Sequence, residues 1–352
     1  MVNELKILIL KPSSLGDVIH AIPVLRLLKL RLPQSEIYWW LDAGLTPLLE
    51  NDPDLAGVIP FHRKRWKNPR YWHEVVESVQ AMRKMHFDWA IDLQGLARSA
   101  IAGWLANADI FFGLDNLREG GREGARGFYD LFPPRSPEGA HAVDRYLTIL
   151  SLLKVPIHWN FDWLAQSPSA AASVRQRWNP DLTRWIVLLP GARWENKRWP
   201  VEYFRDVIRR LSKTPNVRFV VLGSADDRAL GQAIADASPD HCLDLTGKTS
   251  LQEMIEWIRL SSLVISNDTG PMHAAAALRK PVIALFGPTD PCSTGPYCQL
   301  DNVIQTGRLP CVPCLKPTCR HREPLACLHA ITPAMVCEKA VEKLKFNSDE
   351  FR

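Results

Sequence analysis

Long hydrophobic runs are missing from this sequence. The longest apolar stretches without a charge, 99–108 and 146–153, are far shorter than the roughly 20 residues that a membrane-spanning helix needs. The amino terminus also lacks a basic region followed by a small-residue cleavage site, so its pattern is not that of a signal peptide. We therefore expect a cytoplasmic protein.

The sequence has little net charge, only +5 at neutral pH. Nucleic-acid-binding domains usually show stronger basicity and a recognisable module, so no nucleic-acid partner is expected. The basic residues do cluster, in HRKRW (62–66) and at Arg118, Arg122 and Arg126. The clusters indicate a modest anionic partner, and solvated surface charge is the alternative interpretation.

The glycine-rich fingerprint of dinucleotide-binding proteins is absent as well. The first strand-to-helix turn, KPSSLGDVIH, has one glycine, whereas that fingerprint needs three for its pyrophosphate cradle. Short tandem repeats are not found either. A chain of 352 residues with 46% hydrophobic residues nevertheless has enough apolar material for two ordinary domains.

Two successive series of alternating strands and helices are present. The first starts at LKILILK (5–11) and the second at WIVLLPG (185–191), and a stretch rich in Trp, Pro, Ser and Ala (156–172) separates them. This alternation predicts parallel sheets with helices on both faces. We predict an α/β fold of two doubly wound Rossmann-like domains, 1–165 and 166–352.

The most informative motif is SNDTGPMH, 266–273. An apolar strand runs into Asp268, Thr269 and Gly270, and a small-residue helix that carries His273 follows. A helix that begins at the carboxyl end of a strand offers free N–H groups to an anion. An ordinary strand-to-helix turn and a structural histidine are the alternatives.

Other polar residues follow neighbouring strands of the second series. Lys197 and Arg193 come after the first strand and are candidates for neutralising a diphosphate; surface residues are the alternative. Candidate ligands of sugar hydroxyls at later strand ends are Asp226 and Asp227, with Thr246 and Gly247 at the next strand end. In the first series, Asp17 lies in a first helical turn, where it either faces the predicted cleft or simply caps its helix.

Cysteines are concentrated near the carboxyl terminus. Cys311, Cys314, Cys319 and Cys327 have spacings that could hold Zn²⁺ or an iron–sulfur cluster, with His321 as a further donor. Free thiols and a native disulfide are the alternatives.

Together the motifs resemble the heptosyltransferases of bacterial lipopolysaccharide core synthesis, glycosyltransferase family 9. The resemblance covers nearly the whole chain and rests on segments in the family's order: LILKPSSLGDVIHAIPVLRLLK (8–29), DLQGLARS (92–99), HAVDRYL (141–147), LPGARWENKRWP (189–200), LTGKTSLQEM (245–254) and SNDTGPMHAAAALRKPVIALFGPTDP (266–291).

The resemblance implies a GT-B fold, in which two Rossmann-like domains face each other across a cleft. It implies an ADP-heptose donor on the carboxyl-terminal domain and an acceptor, lipid A-Kdo or a heptosylated core, on the amino-terminal domain. It further implies an inverting transfer with Asp17 as base and Lys197 as diphosphate ligand. The family's basic acceptor-binding segment would fall near Arg63, Lys64 and Arg65. Further candidates for acceptor binding are Ser13, Ser14, Gly16, Arg98 and Arg122.

Three further expectations follow from the resemblance. Catalysis requires no metal cofactor, because Lys197 and the helix after Gly270 take the place of Mg²⁺, although a structural zinc or iron–sulfur cluster in the tail is an option. The enzyme lies in the cytoplasm, with peripheral association at the inner membrane as an option, and its carboxyl-terminal helix could pack on the amino-terminal domain. A GT-B sugar-nucleotide epimerase and a non-catalytic nucleotide- or metal-binding regulator are the rival functions.

Overall fold

The chain folds into two compact units, Met1–Ala165 and Gln166–Arg352. The computed structural model describes residues 5–63, 65, 66, 68–114, 124–178, 184–307 and 309–349. The predictions for Lys64, Arg118 and Arg122 lie outside the described residues. Of the helices in these ranges, none is both long enough and apolar enough to cross a bilayer.

A five-stranded parallel sheet forms the centre of unit 1, with the strand order β3-β2-β1-β4-β5. Its central strand β1 is almost entirely buried, as expected for a strand with helices on both faces. The strands are β1 (Lys6–Leu10), β2 (Glu36–Asp42), β3 (Gly57–Phe61), β4 (Trp89–Asp92) and β5 (Ile110–Gly113).

The order of the strands reverses between β1 and β4, so the loops after these two strands form the crevice in which open α/β sheets bind ligands. Helix α1 begins in this crevice, directly after the polar turn that follows β1. The helices of unit 1 are α1 (Leu15–Arg31), α2 (Trp72–Met85), α3 (Ala97–Ala106), α4 (Ala142–Leu147) and α5 (Ile149–Leu152).

A six-stranded parallel sheet forms the centre of unit 2, with the strand order β11-β10-β9-β6-β7-β8. Its order reverses between β6 and β9. The strands are β6 (Arg184–Leu189), β7 (Val217–Val221), β8 (Cys242–Asp244), β9 (Leu263–Asn267), β10 (Val282–Phe286) and β11 (Val303–Gln305).

Helices cover the sheet of unit 2. The longest, α13, packs against α7, β9 and β10 of its own unit; the idea that it also packs on the amino-terminal domain stays a prediction. The helices are α6 (Pro168–Arg177), α7 (Val201–Leu211), α8 (Arg228–Ala235), α9 (Leu251–Leu260), α10 (Gly270–Ala277), α11 (Pro291–Thr294), α12 (Ala326–His329) and α13 (Pro333–Asp349).

Several local elements differ from the sequence pattern. The sequence pattern predicts a helix near 45–51, but the chain forms a 3₁₀ turn there, Ala43–Leu48, with Pro47 inside it. The pattern also predicts one helix over HAVDRYLTILSLLKV (141–155), which is divided into α4 and α5 at Thr148. Part of the predicted linker is helical, because Ser167 caps α6 and Pro168 occupies its first turn, both of which favour helix initiation.

Candidate functional site

Three polar side chains from three different loops meet at the carboxyl edge of the sheet in unit 2. Lys197 Nζ lies 2.6 Å from Asp268 Oδ2, and the Thr289 hydroxyl donates to the same oxygen at 2.5 Å. These loops follow β6, β9 and β10, so the contact lies at the point where the strand order reverses. The structure thus brings Lys197 and Asp268 together, as the sequence predicted for ligands of one crevice.

The loop that carries Lys197 is fixed to β9 by Asn267. The Asn267 side chain accepts from Trp199 N at 3.1 Å and donates to Pro190 O at 2.7 Å. The Trp199 indole is buried and donates to Ile331 O. Both ends of the 190–199 loop are therefore held, which limits where the Lys197 ammonium can go.

Helix α10 presents its amino terminus at the same place. The helix begins at Gly270, and its N-cap residue is Thr269, whose hydroxyl makes no capping bond to the described backbone. The Asp268 carboxylate, directly before this N-cap, is engaged with Lys197 and Thr289. His273 is buried in the first turn.

The remaining predicted residues of unit 2 are spread over neighbouring loops. Arg193 and Asp226 are exposed, whereas Asp227 is buried and accepts from Ser224 N and Oγ at 3.0 and 2.6 Å. Thr246 is fully buried, and its hydroxyl donates to Asp244.

Gly247 has a positive φ of +67°, and a Cβ there would lie 2.8 Å from the backbone of Ala225. A side chain would therefore be strained at this position. For Thr246 and Gly247, the contacts in the structure are those of loop packing.

In unit 1, the predicted base Asp17 lies in the turn after β1. Its Oδ2 accepts from Ser14 N at 2.9 Å and from Ser14 Oγ at 2.6 Å, in a capping box at the start of α1. The Arg63 guanidinium donates to Ser13 Oγ at 3.2 Å. The structure therefore brings the predicted residues Ser13, Ser14, Asp17 and Arg63 into one group, in which Asp17 also caps its helix.

A buried lysine supports this turn. Lys11 Nζ donates to Leu93 O at 3.1 Å and to the Tyr146 hydroxyl at 2.7 Å, and the side chain is almost inaccessible to solvent. It joins the loops after β1 and β4 to α4. Sequence reasoning missed Lys11 as a functional position, although it directly precedes the PSSLGD turn.

The predicted acceptor residue Arg98 is exposed in the first turn of α3, after a loop held by Asp92. Gln94 N, Gly95 N, Ser99 Oγ and the Tyr129 hydroxyl all donate to Asp92. Complete burial raises the pKa of Asp92 above its ordinary value, and the four donors oppose this shift. Burial, and then the nearby Asp92, raise the pKa of Tyr129.

The four tail cysteines proposed as metal ligands are described, and their thiols are free. Among the described residues, no group of three or more His, Cys, Asp or Glu side chains that could hold a metal ion is found, and the structural metal site in the tail stays a prediction. Burial raises the pKa of Cys327, and the nearby Cys319 and Cys311 thiols raise it further.

The tail itself packs on the loops of the unit 2 crevice. Leu315 N donates to Pro288 O at 2.7 Å, and Asn196 Nδ2 donates to Lys316 O at 2.8 Å. The contacts give the tail a positioning role for the loops that carry Thr289 and Lys197.

Thr289 and Asn267 are the site residues that sequence reasoning missed in unit 2. Both stand at strand ends, in GPTDP and SND, which is the available signal. What the sequence did not reveal is that β9 lies between β6 and β10, and this order brings both side chains to the Lys197 loop.

Comparisons with known proteins agree on one class. The family model for glycosyltransferase family 9 (heptosyltransferase) matches residues 63–324. A Pseudomonas aeruginosa protein, lipopolysaccharide heptosyltransferase 1, is 30% identical over 90% of this chain and 88% of its own. Salmonella typhimurium lipopolysaccharide heptosyltransferase 2 is 27% identical over 86% and 88%.

Solved structures show the same architecture. Escherichia coli heptosyltransferase WaaC with ADP has a TM-score of 0.75 and 26% identity, over 96% of this chain and 100% of that one. A family 9 glycosyl transferase from Veillonella parvula has a TM-score of 0.83 at 23% identity, over 98% of each chain, which bears on the fold alone.

Two parallel doubly wound sheets, each with polar groups at the point where its strand order reverses, have the GT-B fold of the solved heptosyltransferases. The chain belongs to glycosyltransferase family 9, the heptosyltransferases. The transferase interpretation is thus confirmed, and the comparisons give no support to the epimerase alternative. The non-catalytic regulator is set aside for the same reason.

Proposed function

We propose that the protein transfers heptose from ADP-L-glycero-D-manno-heptose to the inner core of lipopolysaccharide, onto Kdo or a heptose, with inversion at the anomeric carbon. The observation that carries this proposal is the contact between Lys197 and Asp268 beside the amino terminus of α10, in a chain of this family. Relatives named as lipopolysaccharide heptosyltransferases support the substrate class.

Unit 2 supplies groups suited to a sugar diphosphate. As the bond to the anomeric carbon breaks, negative charge grows on the leaving phosphate, and fixed positive groups stabilise it. Lys197 and the free N–H groups of α10 are such groups. We propose that Lys197 turns from Asp268 toward the diphosphate, which frees the Asp268 carboxylate to accept from sugar hydroxyls.

Unit 1 supplies the base. A hydroxyl that attacks the anomeric carbon must lose its proton, and Asp17 is the carboxylate of the β1 turn. The two bonds from Ser14 hold Asp17 Oδ2 in one orientation, which favours a defined proton acceptor. Arg63 and Arg98 would bind the anionic groups of the acceptor.

We further propose a cytoplasmic enzyme that works at the surface of the inner membrane, because the proposed acceptor is lipid-linked. The proposed catalysis uses no metal ion, since Lys197 and α10 supply the positive charge. A structural zinc or iron–sulfur cluster held by the tail cysteines stays a prediction, which elemental analysis would test.

The test is product analysis of the full chain with ADP-heptose, with and without an inner-core acceptor. Mass spectrometry should show a heptosylated acceptor and ADP only when both substrates are present, and NMR of the product should show the inverted anomer. An isomerised ADP-sugar formed without acceptor would contradict the proposal, as would transfer from ADP-glucose in preference to ADP-heptose.

A further inference from the structure

An apolar cavity of about 470 Å³ opens in unit 1 where α2 packs against α3. Its floor is made by Phe61 and Trp66, and its walls by Val76 and Val79 of α2 and Ile101 of α3. We call these residues, with Trp72 at the rim, the α2–α3 groove. The volume is within the range of small-molecule sites.

The outer part of the groove leaves large apolar side chains in water. Trp72 is 59% exposed, Val76 is 54% exposed and Ile101 is 42% exposed. Helix α2 presents Trp72 and Val76, and the neighbouring α3 presents Ile101. Together these side chains form a contiguous apolar patch. Such patches on soluble proteins usually mark a binding surface.

The charges of the groove have one sign. Of the described residues that line it, two are charged, Arg63 and Arg98. Arg63 lies 3.8 Å from one Asp42 oxygen, a distance that leaves its guanidinium edge available for a stronger partner. A long apolar pocket with two arginines fits a molecule that has an apolar tail and an anionic head.

The groove is continuous with the turn that carries the proposed base. Arg63 lines the groove and also donates to Ser13 Oγ at 3.2 Å, and Ser13 directly precedes the Ser14–Asp17 capping box. A molecule whose head group binds Arg63 is therefore placed beside Asp17. This connection distinguishes the groove from an apolar surface with no relation to the site.

We propose that the α2–α3 groove binds an acyl chain of the acceptor, with Arg63 and Arg98 on the acceptor's anionic groups. This inference rests on the proposed transfer to a lipid-linked acceptor and adds the part of the acceptor that the enzyme recognises. The groove thus selects acylated over deacylated acceptors, because burial of an acyl chain in it contributes binding free energy.

The experiment compares kcat/KM for an acylated inner-core acceptor with kcat/KM for the same acceptor after complete deacylation. For the wild type we expect a ratio of about 10 or more in favour of the acylated acceptor. Val76→Asp with Ile101→Asp places charges on the groove walls at exposed positions, so the fold should persist. We expect this double variant to lower the ratio about 10-fold.

Ile157→Asp is the matched control, because Ile157 is 53% exposed in the same unit and does not line the groove. For Ile157→Asp, the ratio of kcat/KM between the acylated and the deacylated acceptor should equal that of the wild type. A wild-type ratio near one, or an unchanged ratio in the double variant, would overturn the inference while leaving the transferase proposal intact. If neither acceptor received a heptose, the proposed function would be contradicted. The inference that the acceptor occupies the α2–α3 groove would then be contradicted as well.

A binding measurement separates the acceptor from the bilayer as the occupant. Calorimetry should show dodecyl phosphate binding at least about 10-fold more tightly than butyl phosphate, and the double variant should lose the difference. Flotation with phosphatidylglycerol vesicles should be the same for wild type and double variant. If the double variant loses vesicle binding but keeps the acceptor ratio, the groove serves the membrane and the inference is wrong.

Discussion

At the scale of single residues, the contact between Lys197 and Asp268 combines two functions. The Lys197 and Asp268 side chains are 18% and 6% exposed. Because a buried charge without an opposite charge is costly, each side chain stabilises the other. In the proposed reaction the diphosphate replaces Asp268 as the partner of Lys197. The lysine should then contribute to donor binding and, more strongly, to the transition state.

We predict that Lys197→Met raises the donor KM and lowers kcat, the latter about 100-fold or more, because it removes a positive group from the developing charge. Steady-state kinetics and ADP calorimetry measure both effects. The single variant also leaves the buried Asp268 carboxylate without its opposing charge, although Thr289 still donates to it, which should cost about 1 to 3 kcal/mol of stability. Lys197→Met with Asp268→Asn should restore the melting temperature without restoring turnover; recovery of activity would mean that the lysine is only structural.

Asp17 poses a different problem, because it caps α1 as well as being the proposed base. Asp17→Asn keeps an oxygen that accepts from Ser14 but removes the charge. We predict a loss of kcat of about 10² to 10⁴ with ADP affinity near that of the wild type. Glu253→Gln, which removes the same charge from the capping box of α9, is the control and should keep its turnover. Full activity in Asp17→Asn would show that Asp17 only caps α1 and is not the base.

At the scale of secondary structure, buried parallel strands are the most predictable elements. The strands LVISN and VIALF are each completely buried in the sheet. Short, largely apolar runs of this kind indicate a buried strand directly. The turn at 43–48 was not predictable from apolar spacing, because Pro47 prevents a regular helix there. The helix over 168–177 carried a cap and a proline signal, which the Trp-, Pro- and Ser-rich composition of the preceding residues obscured.

The candidate site likewise has features that local sequence predicts and features that depend on long-range packing. That Asp17, Lys197 and Asp268 stand at strand ends is readable from local sequence. Which of them touch depends on strand order, and strand order is set by long-range packing. The pairing of Thr289 with Asp268 therefore needed the structure, as did the α2–α3 groove, whose helices each look only moderately amphipathic alone.

The cap of α9 gives a pH-dependent prediction. Ser173 donates to Glu253, and so do the backbone and side chain of its N-cap Ser250; these bonds lower the pKa of Glu253. Because the folded-state pKa lies below the unfolded value, the stabilisation is complete above about pH 4.3 and is lost as pH falls through the folded-state pKa. Near neutral pH, Glu253→Gln should therefore lower the free energy of unfolding by about 1 kcal/mol or less, and its melting temperature should be lower than that of the wild type.

This difference should shrink in thermal scans as the pH is lowered below the unfolded-state pKa of about 4.3 and through the lower folded-state pKa. Ser173→Ala removes one of the donors and should show part of the same effect. A difference in melting temperature that stays constant from neutral to acidic pH would show that the charge of Glu253 is not the cause.

The tail between β11 and α13 gives a second prediction at this scale. We expect the enzyme to keep its turnover in a chelator, because the positive groups proposed to act on the diphosphate belong to Lys197 and α10. Kinetics before and after chelation, with circular dichroism and elemental analysis on the same samples, measure this. Loss of turnover with an unchanged fold would assign a metal to the reaction and contradict the proposal.

At the scale of the whole molecule, each unit has its own sheet, its own core and its own group of polar side chains at a strand-order reversal. The core of unit 1 includes Leu8, Trp40 and Phe61, and that of unit 2 includes Ile186, Phe204 and Leu285. Such a construction allows each unit to bind one substrate. The proposed division gives the donor to unit 2 and the acceptor to unit 1.

Hydrogen exchange with bound ADP tests this division. A ligand that binds the folded state stabilises it by about 2.7 kcal/mol at 100 times its dissociation constant, and the protection should be greatest in the loops that contact it. We predict slower exchange in segments 190–199 and 266–274, with little change in segment 11–17. The Lys197→Met variant, measured at the same ADP concentration, should lose most of this protection because the diphosphate loses its lysine. Protection centred on segment 11–17 in the wild type would assign the nucleotide to unit 1 and overturn the proposed roles of both units.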